Sequence, residues 1–448
     1  MPYRYCMAPF LVSIVRYRTP LESVRKAVEM SRGLAHMPPN PRVFIKPNIA
    51  YWTKAVPFPK WGVVTTSRVV HDMVVLLKEH GVRDILIGEG TVTWDPKDRE
   101  TARHIGKTLG YRVLEKRYGI KFINIFDRPF ERVDLGDGIA LHFNRDILQS
   151  DFVVNLPVLK THNQTRVSLG TKNLKGTIDM KSRKKSHSAD PEKDLNYMVS
   201  RLPLKMPPMF VLVDGIYSNE RGPAFDGRLR RSDILVASAD LLSADMVGAK
   251  IMGFEPRDVP HLVHSANNQG RPLDLSDVRI VGQAIDEVAS PHAFDHEYIR
   301  TKDGVLPKPM ADQGIQGLSY PKYDLSMCTY CSGINGLILN AIRSVWEGRP
   351  WDDIEVLTGK IMTPSAGKKK TLLIGRCMVQ RNKDDPRINE VIAVKGCPPK
   401  TDEVVKALHQ AGIPANPALF QNMEMLPGFF MQRYEGNPDF DENFFRIE

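Results

Sequence analysis

Four of the five cysteines in the chain fall after residue 327, as Cys328-Thr-Tyr-Cys331, Cys377 and Cys397, a C-x2-C-x45-C-x19-C spacing with Pro398-Pro399 after the last. Four thiolates match the coordination of one tetrahedral metal ion or one cuboidal iron–sulfur cluster. The C-x2-C pair lets two sulfurs from one turn reach a common centre, and a Cys-Pro step at the final ligand has the form of a ferredoxin cluster loop. No histidine lies inside these motifs, and thiolates alone suit a [4Fe-4S] cluster or Zn(II). The proline step puts the cluster first and zinc second. Burial as a small hydrophobe accounts for any one of these cysteines, but poorly for four within one small domain. Cys6, far away in sequence, reads as a thiol outside the set.

A second group of residues is cationic. Asn155-Leu-Pro-Val-Leu-Lys160-Thr-His162 follows an apolar run, Lys172-Asn173-Leu-Lys175-Gly176 comes within one loop length, and Lys46-Pro47-Asn48 leaves another apolar run in the same sense. Residues leaving strands at their carboxyl ends occupy the edge where open α/β sheets bind ligands. Converging there, these loops form a pocket for a carboxylate or phosphate on a small molecule. His162 and Lys160 are its candidate catalytic groups, the imidazole because it changes charge near neutral pH. Lys46, Asn48, Lys172, Asn173, Lys175 and, more weakly, His187 are its candidate binding groups. Asp214, in Val213-Asp214-Gly215, and Glu89, in Gly88-Glu89-Gly90, also end strands and complete the candidate binding set, placed to neutralise or orient a lysine. The loop at Glu89 matches neither a phosphate-cradling loop nor a dinucleotide fingerprint.

The elements that must position these groups follow from periodicity. Val43-Phe44-Ile45, Asp84-Ile85-Leu86-Ile87, Phe152-Val153-Val154-Asn155, Phe210-Val211-Leu212-Val213 and Val278-Arg279-Ile280-Val281 read as strands. Several are too uniformly apolar for a half-exposed sheet, which implies a mostly parallel sheet with helices on both faces. Residues 67–80, with Ser67 as N-cap and Gly81 beyond the end, 98–110 and 239–252 read as helices. Residues 285–325 lose the rhythm and read as a linker or excursion. A smaller α/β domain follows, with a helix after Cys331, strands near 355–361, 371–375 and 391–395, and a last helix opening at Thr401. The organisation read here is an α/β domain over 1–290, a linker over 291–325 and a C-terminal domain over 326–448 that carries the four cysteines and an acidic tail.

Composition narrows the classes. The 448 residues are 42% hydrophobic and 25% charged with a net charge of +10, an ordinary globular balance that excludes a hormone, a collagen or a disordered tail. The apolar stretch Cys6 to Val15 is about half a membrane span and contains Pro9, so no membrane span or leader is expected and the cytoplasm is the expected compartment. Residues 160–185 hold eight basic groups and one acid. The run from Arg166 to Lys185 has no aromatic residue for base stacking, and nucleic acid is not expected as a partner. Self-association stays open.

The strings Lys46-Pro47-Asn48, Gly88-Glu89-Gly90, Asn155 to His162, Lys172 to Gly176, Val213-Asp214-Gly215 with Gly222-Pro223, and Ala244-Asp245 through Gly253 resemble the family catalogued as domain of unknown function 362, over about residues 40–285. The resemblance implies an α/β domain associated with iron–sulfur modules in anaerobic metabolism. The chain departs from relatives that resemble fusions with a compact C-x2-C-x2-C-x3-C-P ferredoxin module, having one C-x2-C pair and two dispersed cysteines. The leading expectation is an iron–sulfur oxidoreductase acting on an anionic small molecule, with a redox protein as electron partner. The alternatives are a zinc-stapled non-redox enzyme or binding module for a carboxylate or phosphate, and an accessory protein that delivers a cluster.

Overall fold

A computed structural model describes residues 9–93, 98–321 and 324–447. Cys6 lies outside the described residues. The chain divides into two compact units, one made of the residues up to Ser182, Asn196–Ala293 and Pro427 onward, the other of Arg183–Leu195 and Phe294–Leu426.

The first unit is built on β1 (Phe10–Arg16), β2 (Arg42–Pro47), β3 (Asp84–Glu89), β4 (Lys121–Asn124), β5 (Phe130–Asp134), β6 (Ala140–Asn144), β7 (Phe152–Leu156), β8 (Val158–His162), β9 (Arg166–Val167), β10 (Met209–Glu220), β11 (Arg228–Ser238) and β12 (Val278–Gly282). Its main sheet runs in the order β12-β1-β11-β10-β7-β2-β3-β4, with β8 also paired to β10 and β9 to β8. The pairings β10·β7, β7·β2, β2·β3 and β3·β4 are parallel, as the apolar runs imply. The departure is β11, which returns antiparallel to β10 and to β1. Its Arg228-Leu-Arg-Arg-Ser-Asp start disguises the buried second half, Ile234 to Ser238.

Alternation explains burial on both faces. Phe210 and Leu212 of β10 enter one core with Val43, Ile45, Val69 and Met73, while Val211 and Val213 enter the other with Leu242, Met246 and Val247. The helix Ser67–Glu79 ends before Gly81, whose φ of +81° is the left-handed value that favours glycine. Its N-cap is Thr66 rather than the expected Ser67, and the Thr66 amide is held by a side chain from a distant strand. The helices Glu100–Thr108 and Leu241–Ile251 fall within the segments read from sequence. The acidic tail, expected with the cysteine domain, packs on the first unit instead. Tyr434 and Phe440 lie against Trp61, Phe444 against Tyr217, and Lys60 Nζ meets Glu442 at 2.9 Å. Aromatic residues between the acids make that segment a packed strap.

The second unit contains the hairpin β13 (Tyr298–Thr301) and β14 (Gly304–Pro307), then β15 (Leu318–Ser319), β16 (Ile354–Leu357), β17 (Lys370–Ile374) and β18 (Glu390–Val394). The last four form a parallel sheet in sequence order. The hairpin and β15 occupy much of the stretch expected to be a linker. Their short strands, set between Pro, Asp and Gly, are hard to distinguish from loop by composition. Among the described residues, no helix is long and apolar enough to cross a membrane.

Candidate functional site

Lys46, the penultimate residue of β2, has a fully buried side chain. An ammonium cannot stay charged there without acceptors. Its Nζ donates to Glu89 Oε2 and to the Pro47 carbonyl, both at 2.7 Å, and more loosely to Asn173 Oδ1 at 3.4 Å. Glu89, at the end of β3, also receives the Ile49 amide at 2.8 Å and the Gly90 amide at 2.7 Å. The ends of two adjacent parallel strands are thereby tied through one buried ion pair.

Lys160, on β8, is 2% exposed and donates to Asn48 Oδ1 at 2.8 Å and to the Val63 carbonyl at 2.7 Å. Burial, aided by the charges of Lys172 and Lys46 and opposed by Glu89, lowers its pKa to about 7. Asn173 knits the two lysines together. Its Nδ2 donates to Asn155 Oδ1 at 2.8 Å and the Lys46 carbonyl at 3.2 Å, and its Oδ1 receives Asn48 Nδ2 at 3.0 Å.

The short helix Leu169–Asn173 that presents Lys172 and Asn173 has no side chain of its own at its N-cap. Asp245 supplies the cap from the helix Leu241–Ile251, receiving the Gly170 amide at 2.7 Å and the Thr171 amide at 2.8 Å. Asp214 does the same for the turn before Ser67, receiving the Thr66 amide at 2.7 Å and the Ile216 amide at 3.1 Å. It therefore holds backbone, not the lysine for which it was expected. Burial raises both carboxyls to about 6.

These three displaced groups make stability pH-dependent. A carboxyl raised on folding stabilises below its unfolded pKa, and that contribution is lost as pH rises through about 6. A lysine lowered on folding stabilises above its unfolded pKa, and that contribution is lost as pH falls through about 7. Their joint contribution is thus lowest near neutrality. Urea unfolding across pH will show stability rising between about 7 and 10, and Lys160→Met will flatten that limb.

Gly176 abuts the ion pair directly. A Cβ there would stand 2.5 Å from Glu89 Oε1 and 2.6 Å from Lys46 Nζ. Gly176→Ala will cost roughly 1–3 kcal/mol in urea unfolding, since the pair is too tightly held to yield.

His162 and Lys172 sit at the rim, half-buried. The Gln164 amide donates to His162 Nδ1 at 3.1 Å, so a neutral ring carries its proton on Nε2, and that nitrogen lies 3.1 Å from Lys172 Nζ. Lys175 is buried in the turn Leu174–Thr177. The structure thus gathers Lys46, Asn48, Glu89, Lys160, His162, Lys172 and Asn173, with Asp214 as a support. Sequence reading passed over Asn155, Thr65 and Asp245. Thr65 Oγ1 accepts the Asn48 amide at 2.8 Å and donates to the Leu156 carbonyl at 2.7 Å. Asn155, a fully buried amide closing an apolar strand, carried a readable signal. His187 belongs to the second unit, where its Nδ1 meets the Leu325 carbonyl at 3.0 Å and its own carbonyl receives Lys360 Nζ. It steadies the loop before Cys328.

In that unit Cys328 is the N-cap of the helix Thr329–Ser344, Cys377 opens the helix Arg376–Asn382 after β17, and Cys397 follows β18 before the helix Thr401–Gln410. The cysteines therefore all stand on loops or helix starts at the carboxyl edge of the small parallel sheet, where the alternation of strand and helix delivers them. The hydrogen bond between Cys331 and Cys328 holds the Cys328 thiol below the usual thiol range, helped by Lys360, while that bond and burial raise Cys331. The charges of Cys377 and Cys397 also reach Cys331. Gly375, at φ +92°, leaves space there: a Cβ would lie 3.4 Å from Cys331 Sγ. Among the described residues, no three His, Cys, Asp or Glu side chains are placed closely enough to hold a metal ion.

Two comparisons with known proteins bear on the chain. A thylakoid-associated protein, sll1697, of Synechocystis sp. is 26% identical over 244 residues, covering 54% of this chain and 72% of that protein. Residues 43–250 match a family model. That span contains the whole Lys46–Glu89–Lys160–Asn173 network, and the model it matches is that of the family described as Domain of unknown function (DUF362).

Proposed function

We propose that this is an iron–sulfur protein of anaerobic metabolism, an oxidoreductase whose second unit carries one [4Fe-4S] cluster on Cys328, Cys331, Cys377 and Cys397 and whose first unit binds an anionic small molecule. One observation carries the reading: four thiols from three separate segments collect at one sheet edge. One pair is hydrogen-bonded and two further thiols lie within Coulombic reach of it. Four thiolates would give each iron of a cuboidal cluster its own protein ligand. Gly375 leaves beside Cys331 Sγ the room that any side chain would fill. With every iron bound by a thiolate, the cluster supplies outer-sphere electron transfer when present.

The contact between His162 and Lys172 supports the second half. His162 Nε2 and Lys172 Nζ stand 3.1 Å apart at the half-buried rim, two nitrogens that one anionic oxygen could bridge. A carboxylate or phosphate oxygen would receive both. Lys46 and Lys160 are held by internal acceptors and fix the loops in place, while His162 and Lys172 stand at the rim, where an anion would first arrive.

Anaerobic purification tests the cluster. A brown protein with about four irons per chain is expected. Colourless protein with one zinc per chain would replace this reading by that of a zinc-stapled binding module.

A further inference from the structure

Three features of the second unit concern its surface around the cysteines. First, Cys377 and Cys397 are exposed, whereas Cys328 and Cys331 are partly covered. The exposed thiols define the side on which the cysteine edge meets solvent. Second, that side is lined by cations. Arg376 precedes Cys377, Lys395 and Lys400 flank Cys397, and all three are exposed. Among the described residues neither Arg376 nor Lys395 has a salt-bridge partner, and Lys400 has only Glu403 at 3.9 Å. Asp384 is engaged with Lys383 at 3.4 Å and Asp385 with Arg387 at 2.7 Å, while exposed Asp402 follows Lys400 in the first turn of the next helix. Third, the covered side is cationic too. Lys184 Nζ sits over the Tyr330 ring at 5.2 Å, inside the C-x2-C turn, and Lys360 Nζ is fixed by the Lys184 carbonyl at 2.9 Å and by that of His187.

We infer that this cationic rim is the docking surface for a small acidic electron-carrier protein. The inference rests on the proposed cluster and adds its partner. Structural economy alone does not account for the charges, since unpaired surface cations concentrated around two exposed thiols add little stability. They do raise the encounter rate of a negatively charged protein and orient it so that its redox centre faces Cys377 and Cys397. Weak electron-transfer complexes are small and governed by such steering, in keeping with a rim rather than an apolar patch.

The test uses the full-length protein, purified anaerobically, with a flavodoxin as probe. Flavodoxin is acidic and contains no iron, so iron found in the mixture belongs to this chain. Binding is followed by calorimetry at low and at moderate ionic strength, for the wild type and for Arg376→Glu/Lys395→Glu. A dissociation constant that rises about tenfold on charge reversal, and similarly with salt, is expected. Iron content should stay unchanged. Equal affinity in wild type and variant, salt-independent binding, or no binding by the wild type would overturn the assignment. Should the variant misfold by circular dichroism, the salt dependence of the wild type and the single variant Lys395→Glu decide the matter. Iron content separates the two ideas: salt-sensitive docking by iron-free protein would uphold the surface and sink the cluster, and iron-loaded protein that fails to dock would do the reverse.

Discussion

Glu89→Gln will lower the unfolding free energy of the protein by about 3–5 kcal/mol, the range for removing one partner of a buried ion pair. The magnitude follows from what remains. Lys46 Nζ, wholly buried, would keep the Pro47 carbonyl and the distant Asn173 Oδ1 but lose the Glu89 carboxylate 2.7 Å away. The amide would also have to serve the Ile49 and Gly90 amides with one oxygen where the carboxylate uses two. Adding Lys46→Met should recover part of the loss, because the uncompensated charge is then gone. Urea unfolding of the two singles and the double measures this directly. A Glu89→Gln cost below about 1 kcal/mol, the range of exposed pairs, would show that the pair is solvated.

The second large effect concerns the cysteines. On the proposed cluster, Cys331→Ala will drop iron from about four per chain to less than about one, since a cuboidal cluster that loses one protein ligand is labile. Cys377→Ala should act in the same direction despite its exposure, while Cys6→Ala should leave iron content unchanged. Iron analysis of the three anaerobically purified variants checks the ranking. Full iron in Cys377→Ala would remove that residue from the ligand set.

Much of the first unit could be read from sequence because buried parallel strands announce themselves as apolar runs. The polar residues closing those runs, Lys46, Glu89, Asn155 and Lys160, then fall at one edge. What sequence could not give was the direction of each side chain. Lys46 and Lys160 looked like open cations, yet each has internal acceptors supplied by residues up to 127 positions away. Asp214 looked like a lysine partner and instead caps backbone. His187, adjacent in sequence to the basic run, belongs to the other unit because the chain crosses over at Arg183 and returns at Asn196. β11 was hidden by its charged first half, and the acidic tail by its charges. In both cases apolar residues set between polar ones carry the packing, and a local composition average conceals them.

The most direct test of the central claim is the electron paramagnetic resonance spectrum of dithionite-reduced protein purified without oxygen. A reduced [4Fe-4S] cluster will give a spin-half signal integrating to about one spin per chain. A spectrum without signal, from protein that contains one zinc and no iron, would contradict it.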